Sequence, residues 1–497
     1  TSQYTLSLHD ALPISGSPNE RFFTGGGVHV FQNYSEKTDR MMSIREGIRL
    51  SANLVFVRLM RDVVNFHIAR LPGQAYSMLA NPDDDRRGEY LRRFAVHEGR
   101  LFLSRYLRVY QSAAPHEDVL EILGERYPVS ARRLAWAYRS VFPEGRREAF
   151  GRYLRRYAAN GTALASDQIE DLYRTTNPSE QSWQERGYLA GIHPLELWLV
   201  NYLYHRPAAT YRRVINASLG VRENVYQWLY RKRKEAQDPR IRTILEQEAF
   251  TEIHERWAQL GYPFGSLVPT LATALGSSAD RPAALAHLMG ILLRDGQRYP
   301  AVQIDSLHFG AGSPFETRLR REIPETDSVL SPALCMAARE TLLGVVEGGT
   351  AVRARHAIPT SDGPPLPIGG KTGTGDNEKH ATGPNGTRTT VTASRTSAFV
   401  FFAGDRFFGT IVAYVEGPEA ANHRFTSSLT TAILQIIGPH LTPLLETPAP
   451  RTTEVRTERS MFDRISGTDL RDALAQKRPC PDSTNPSTLP PGSTSDE

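Results

Sequence analysis

Residues 369–375, Gly-Gly-Lys-Thr-Gly-Thr-Gly, form the motif that decides how this chain is interpreted. A phosphate-binding P-loop also contains Gly-Lys-Thr, but it requires a glycine at the position occupied here by Pro365. The glycines that follow the lysine would also break the helix that a P-loop needs. An extended strand fits better, because side chains then alternate, with Lys371 on one side and Thr372 and Thr374 on the other.

A second short motif, Ser51-Ala52-Asn53, directly follows a predicted helix. The start of this helix is marked by Ser43 and Glu46, which have the spacing of a capping box. Alone, a serine and an asparagine separated by one residue recur by chance, so the motif is informative only in context. Penicillin-recognising enzymes combine such a motif with a Lys-Thr-Gly strand.

The order of several stretches resembles the transpeptidase domain of class A penicillin-binding proteins. The resemblance rests on residues 31–34 (FQNY), 43–48 (SIREGI), 51–53 (SAN), 269–278 (PTLATALGSS), 344–351 (GVVEGGTA), the Lys371 strand and an apolar hairpin over 397–414. It covers roughly residues 28–80 and 261–440. It implies an α+β, β-lactamase-like domain with an antiparallel sheet and flanking helices.

The resemblance implies catalytic roles for three residues. Ser51 would relay a proton near the leaving group, Asn53 would contact the amide of the donor peptide, and Lys371 would support Ser51 electrostatically. The implied activity is that of a serine-type D,D-transpeptidase, which cross-links peptidoglycan through an acyl-enzyme.

The same resemblance implies how a substrate is held. Thr372 and Thr374 would bind the terminal carboxylate of a D-Ala-D-Ala stem, and Gly373 would leave room for the substrate along the strand. The backbone N–H of Thr374 would supply one oxyanion donor. The expected ligands are peptidoglycan stem peptides and β-lactams, with no cofactor, metal or nucleic acid. The expected location is the periplasmic face of the bacterial inner membrane.

The nucleophile motif of this family, a serine three residues before a lysine, is missing from the sequence. The chain has only six lysines, and the residues at that offset are Tyr34, Leu229, Arg231, Ile368, Asp376 and Leu474. In the family this motif lies upstream of the Ser-x-Asn motif, so we expect truncation to have removed it. Residues 4–15 (YTLSLHDALPIS) favour truncation, because they back-translate to a common sequencing adapter. A membrane anchor and a glycosyltransferase domain are expected upstream.

The sequence pattern divides the chain into five parts. Residues 1–15 are assigned to the adapter, 16–85 and 259–442 to the two parts of the transpeptidase domain, 86–258 to an all-α insert and 443–497 to a disordered tail. The insert is a candidate surface for other cell-wall synthesis proteins. The alternative to an enzyme fragment is a non-catalytic cell-wall scaffold or interaction protein that binds its partner through this insert.

Composition excludes few functions. The 59 Lys and Arg residues against 54 Asp and Glu give a net charge of +5, too balanced over 497 residues to require a nucleic-acid partner. Two cysteines, Cys335 and Cys480, cannot provide a disulfide framework or a four-ligand zinc site. No apolar run is long enough to span a bilayer.

Two expectations concern packing near the C-terminus. If a preceding segment supplies part of the sheet, one face of the hairpin lacks its cover, and the residues on it would be Phe399, Phe401, Phe407 and Ile411. A closing helix is predicted over residues 427–437, with Leu429, Ile433 and Ile436 or Ile437 in phase.

Overall fold

The computed structural model describes residues 13–24, 27–111, 118–127, 129–159, 161–231, 234–304, 306–320, 326–382 and 388–446. Residues 1–12 of the adapter-like stretch and residues 447–497 of the predicted tail lie outside the described residues. Within the described part the fold is α+β, as predicted, with one three-stranded antiparallel sheet and four two-stranded sheets.

The helices are numbered α1 to α16 along the described chain. Their bounds are Ile44–Leu50, Asn53–Arg70, Ser77–Ala80, Arg86–Gln111, Asp118–Arg126, Ala131–Val141, Arg147–Tyr157, Ser166–Thr175, Trp183–Ala190, Pro194–His205, Tyr211–Ala217, Leu219–Val225, Lys234–Gln259, Pro282–Leu293, Pro332–Gly348 and Ser427–Glu446. The strands β1 to β11 are Ile14–Ser15, Phe22–Thr24, Gly27–His29, Met41–Met42, Gln297–Arg298, Ser306–Phe309, Thr317–Arg320, Asp327–Ser328, Ile368–Thr382, Arg388–Ala403 and Phe407–Glu416.

The predicted capping box at the start of α1 is half formed. The Ser43 hydroxyl accepts the backbone N–H of Glu46 at 3.2 Å, as expected. The Glu46 carboxylate does not return to Ser43 but pairs with Arg40 at 2.5 Å. The serine therefore caps the helix without the reciprocal bond, because an arginine competes for the glutamate.

The described chain between Arg86 and Gln259 contains only helices, α4 to α13. Most of them share one apolar core, which extends from Leu103 in α4 to Val225 in α12. The last helix, α13, belongs to a different core, since Leu245 and Phe250 pack in one cluster with Leu54 of α2. The insert is thus packed onto the helix that follows the Ser51 motif, and residues up to Thr442 form one compact unit.

The main sheet has the order β11-β10-β9 and is antiparallel throughout. The predicted hairpin is present, with Ala403 opposite Phe407 and a turn at Gly404, whose φ of 63° suits glycine. On one face of β10, Phe402 packs against Met289 and Cys335 of α14 and α15. Helix α15 packs on β9, which carries Lys371 and lies at the edge of the described sheet, whereas α14 packs on β10 and β11.

The expectation of an uncovered hairpin face is wrong. Phe399 and Phe401 are 0% and 8% exposed, and their rings stack with centroids 5.5 Å apart. Phe407 and Ile411, the other two residues of that expectation, are half-buried. Helix α16 covers this face, because Ser397, on the same side of β10, lies 3.2 Å from the Thr430 hydroxyl. The exposed apolar residues of β11 are on its other side: Phe408, Val412 and Tyr414.

The phase predicted for the closing helix is also wrong. Helix α16 buries Thr430, Thr431, Leu434 and Gly438, whereas Leu429 and Ile436 are exposed. Gly438 lies so close to the carbonyl of Ala357 that a side chain would collide with it. The close approach of Gly438 to Ala357 and the hydroxyl contact of Thr430 orient this helix, rather than a periodic row of aliphatic side chains. The helix also ends at Glu446 instead of at residue 437.

Candidate active site

Ser51 lies in the sharp turn between α1 and α2, in the left-handed backbone region with φ 54° and ψ 47°. Its backbone N–H donates to the Ile48 carbonyl at 3.3 Å, while the next residue, Ala52, is fully buried. A residue other than glycine in this conformation costs about 1–3 kcal/mol and persists only where its surroundings impose it. Here the packing of Ala52 and the start of α2 impose it, and the turn directs the Ser51 hydroxyl toward β9.

Lys371 is brought to Ser51 from the far end of the sequence. Its Nζ donates to the Ser51 hydroxyl at 2.5 Å, although the two residues are 320 positions apart, and also to the carbonyl of Thr372 at 2.8 Å. Burial lowers the pKa of Lys371 to about 8, because the desolvated ammonium is less stable than the neutral amine. Lys371 can therefore gain or lose a proton within the ordinary pH range while it holds the Ser51 hydroxyl.

Thr350 is a site residue that the sequence analysis missed. It follows the C-terminal end of α15, and its hydroxyl lies 3.3 Å from that of Ser51 and 2.7 Å from that of Thr372. Its backbone N–H donates to the Arg49 carbonyl at 3.2 Å, and a side chain on Gly349 would collide with that carbonyl. The available signal was the Gly-Gly-Thr sequence at a helix end, which permits close approach to α1.

The two threonines expected to bind a carboxylate have different surroundings. Thr372 is buried and its hydroxyl is engaged with Thr350. Thr374 is exposed, and its hydroxyl oxygen accepts the backbone N–H of Ser427 at 2.8 Å, so its hydroxyl proton can be donated elsewhere. A side chain on the exposed Gly373 between them would meet no atom within 4 Å, so this position faces open space.

The predicted alternation along β9 does not separate Lys371 from Thr372 in the site. The lysine side chain turns back far enough for its Nζ to reach the carbonyl of the next residue. Both side chains therefore join one cluster through Ser51 and Thr350. A long flexible side chain can escape the alternation that fixes short ones.

Asn53, the first residue of α2, is positioned by the segment over residues 31–34. Its Nδ2 donates to the Gln32 carbonyl at 3.0 Å. Asn33 accepts the backbone N–H of Leu54 at 3.0 Å and donates to Asp39 at 2.7 Å. The segment thus caps α2 and fixes Asn53 beside Ser51. Among the described residues the Asn53 side chain bonds to Gln32, whereas Lys371 bonds to Ser51.

An ion pair links β9 to β10 directly after the glycine-rich motif. Arg395 on β10 contacts both carboxylate oxygens of Asp376 at 2.9 and 2.8 Å, and its Nε donates to the Phe425 carbonyl at 2.8 Å. Both contacts come from one guanidinium nitrogen, and they are charge-assisted hydrogen bonds. Arg395 ties the strand to the start of α16, next to Thr374.

The described residues contain no group of three or more His, Cys, Asp or Glu side chains placed to hold a metal ion. Among the described helices, none combines the length and apolar character needed to cross a membrane.

No family model matches the sequence, and no curated protein matches it significantly. Solved structures do match. Penicillin-binding protein 3 of Mycobacterium tuberculosis with aztreonam is 17% identical, with a TM-score of 0.28 over 41% of this chain and 49% of that one. The D,D-transpeptidase domain of a peptidoglycan glycosyltransferase from Eggerthella lenta is 16% identical, with a TM-score of 0.26 over 40% and 51%.

Penicillin-binding protein 1A of Haemophilus influenzae is 18% identical, with a TM-score of 0.28 over 44% of this chain and 33% of that one. The chain thus spans about half the length, or less, of these solved chains. The solved structures that match are thus two penicillin-binding proteins and one D,D-transpeptidase domain. Identity and TM-score are too low to transfer a function, which leaves the cluster around Ser51 and Lys371 as the functional evidence.

Proposed function

We propose that the cluster of Ser51, Lys371, Thr350 and Thr372 is the proton-handling part of a serine acyl-transfer site, of the kind used by D,D-transpeptidases in peptidoglycan synthesis. One observation carries the proposal: the Lys371 ammonium bonds the Ser51 hydroxyl at 2.5 Å with its pKa lowered to about 8. A serine hydroxyl held by such a lysine can pass a proton to a leaving group.

The edge of β9 suits an extended peptide substrate. β9 is the outer strand of the described three-stranded sheet, so a peptide can add to it as a further strand. Gly373 leaves open space there, and Thr374 can donate its hydroxyl proton to a terminal carboxylate. Asn53 has its Nδ2 committed to Gln32, so its oxygen is the atom that would accept a substrate amide N–H.

In the proposed reaction, a serine attacks the carbonyl of the penultimate D-Ala and forms an ester with it. The amide bond breaks, and the terminal D-Ala leaves after its amine receives a proton through Ser51. The attacking serine is assigned to a Ser-x-x-Lys motif of a longer protein, because no lysine of this sequence is preceded by serine at that offset. Lys371 would keep positive charge near the developing negative charge.

The test is acylation by a fluorescent penicillin in a chain with its upstream sequence restored. Lys371→Ala should slow labelling by about a hundredfold or more, as loss of one preorganised electrostatic group does in acyl transfer. Lys234→Ala, which removes an ion pair with Asp238 on α13, is the matched control and should leave the rate unchanged. Unchanged labelling of Lys371→Ala would refute the site, and a restored chain that is never labelled would favour the scaffold alternative.

A further inference from the structure

Strands β6 and β7 form a small hairpin with one apolar face exposed. Leu307 pairs with Leu319 and Phe309 pairs with Thr317, so Leu307, Phe309 and Leu319 share a face. Their exposed fractions are 42, 53 and 51%, and every described residue from 301 to 320 is exposed. Isolated exposed apolar residues are ordinary, but a contiguous set on a projecting element indicates an interaction surface.

The opposite face of this hairpin is polar and basic. His308 and Arg318 are paired across the strands, and both contact the Glu316 carboxylate, at 2.8 and 2.9 Å. Arg320, opposite Ser306, is exposed on the same face. The one acidic residue of the described hairpin is thereby paired with Arg318, which leaves Arg320 as the excess positive charge.

The connecting loop is internally bonded and presents a phenylalanine. Gly310 and Gly312 have φ of 60° and 73°, and the Glu316 carboxylate accepts the Gly312 N–H at 3.0 Å. The Ser313 hydroxyl donates to the Gly310 carbonyl at 2.7 Å and accepts the N–H of Phe315. Residues 310–315 carry no charge, and Phe315 is 84% exposed at the tip.

We infer that this hairpin, residues 306–320, docks into the interfacial region of a bilayer that contains anionic phospholipid. Phe315 and the apolar face would enter the headgroup–acyl boundary, where aromatic side chains are favoured. Arg318 and Arg320 would stay at the level of the phosphates, each contributing electrostatic attraction. A protruding aromatic tip backed by arginines fits a deformable anionic surface better than the flat interface of a second copy. This inference does not depend on the proposed catalytic function.

The test is flotation of the full 497-residue chain with vesicles on a density gradient, which separates bound protein from aggregates because aggregates sink. Vesicles of phosphatidylethanolamine and phosphatidylglycerol should carry the chain upward more than vesicles of phosphatidylcholine alone. Phe315→Ser should reduce partitioning by about tenfold, from the loss of one buried aromatic side chain. Arg320→Gln should reduce it by about fivefold on anionic vesicles only.

The matched control is Tyr188→Ser, which removes an aromatic side chain that is 85% exposed on α9 of the helical insert. It should float like the unchanged chain. Equal flotation of Phe315→Ser and Tyr188→Ser, or no flotation of the unchanged chain, would overturn the inference. A dimer in sedimentation velocity that Phe315→Ser abolishes, without vesicle binding, would instead assign the face to a second copy.

Discussion

The hydroxyl oxygens of Thr350 and Thr372 lie 2.7 Å apart and join the end of helix α15 to strand β9. Thr372 is buried, so this contact gives its hydroxyl the hydrogen-bond partner that a buried polar group requires. The Thr350 hydroxyl is also 3.3 Å from that of Ser51. The turn after α1, the end of α15 and strand β9 therefore meet at one threonine, beside the lysine ammonium.

Replacement of Thr350 by valine tests this junction. Thr350→Val keeps the side-chain shape but leaves the buried Thr372 hydroxyl without its partner, so the free energy of unfolding should fall by about 1–3 kcal/mol. Urea denaturation of the chain measures this change. Thr251→Val is the control, since among the described residues that hydroxyl bonds to the Gln247 carbonyl, on the exposed side of α13. Equal stability of the two variants would contradict the role given to Thr350.

Lys371→Met should stabilise the protein at neutral pH. The folded-state pKa of Lys371 is lowered to about 8 from 10.5, so the folded chain binds fewer protons than the unfolded chain between these pH values. Stability therefore rises as the pH rises from 8 to 10.5, and the buried charge costs up to about 3 kcal/mol below pH 8. In urea denaturation, Lys371→Met should have a higher free energy of unfolding than the unchanged chain at pH 7. The two free energies should be about equal near pH 10.5. If Lys371→Met were no more stable than the unchanged chain at pH 7, the Lys371 ammonium would not be desolvated.

Two substitutions separate backbone strain at Ser51 from the loss of its hydroxyl. Both Ser51→Gly and Ser51→Ala remove the hydroxyl, but only glycine relieves the left-handed conformation at φ 54°. Ser51→Gly should therefore unfold at a higher urea concentration, with a difference of about 1 kcal/mol from Ser51→Ala. Both should slow acylation equally in the restored chain. Identical stabilities would show that the turn relaxes when the hydroxyl is removed.

The 497-residue chain itself should not be acylated by a fluorescent penicillin. Opening a β-lactam requires an activated serine, and no lysine of this sequence has a serine three residues before it. The measurement is gel fluorescence after incubation with excess reagent, with heat-denatured protein as the control. Stoichiometric labelling that Ser51→Ala abolishes would make Ser51 the nucleophile and its pairing with Lys371 a complete dyad.

The helical insert should not be self-contained at the boundaries predicted from the sequence. A piece covering residues 86–258 would expose the apolar face of α13, where Ile241, Leu245 and Phe250 pack in the cluster that contains Leu54 of α2. We expect it to bind a hydrophobic dye more strongly than a piece ending at residue 231, which keeps the core between Leu103 and Val225. Helix α13 also packs on Leu91 of α4, which lies within both pieces. Equal dye binding by the two helical pieces would mean that this contact with α4 is enough to cover the apolar face of α13.

Features that depend on neighbouring residues could be predicted from the sequence. Ser43 caps α1, residues 369–375 lie in an extended strand, and the apolar run after residue 397 forms a hairpin, each because short-range sterics and periodicity suffice. The helical character of the described residues between 86 and 258 follows from the same kind of signal. The assignment of Ser51, Asn53 and Lys371 to one site came from family resemblance rather than from these local patterns.

Tertiary structure alone decided which of these groups touch and what their chemistry becomes. The bond between Lys371 and Ser51 spans 320 residues, and the lowered pKa of the lysine follows from burial, which no local pattern encodes. The same limit explains Thr350, whose position depends on the approach of α15 to α1. It also explains the burial of Phe399, which shares a face of β10 with Ser397, the residue whose hydroxyl contacts Thr430 of α16. Local sequence thus determined the helices and strands. Packing determined the distances between side chains and their exposure to water, because each of these depends on several elements together.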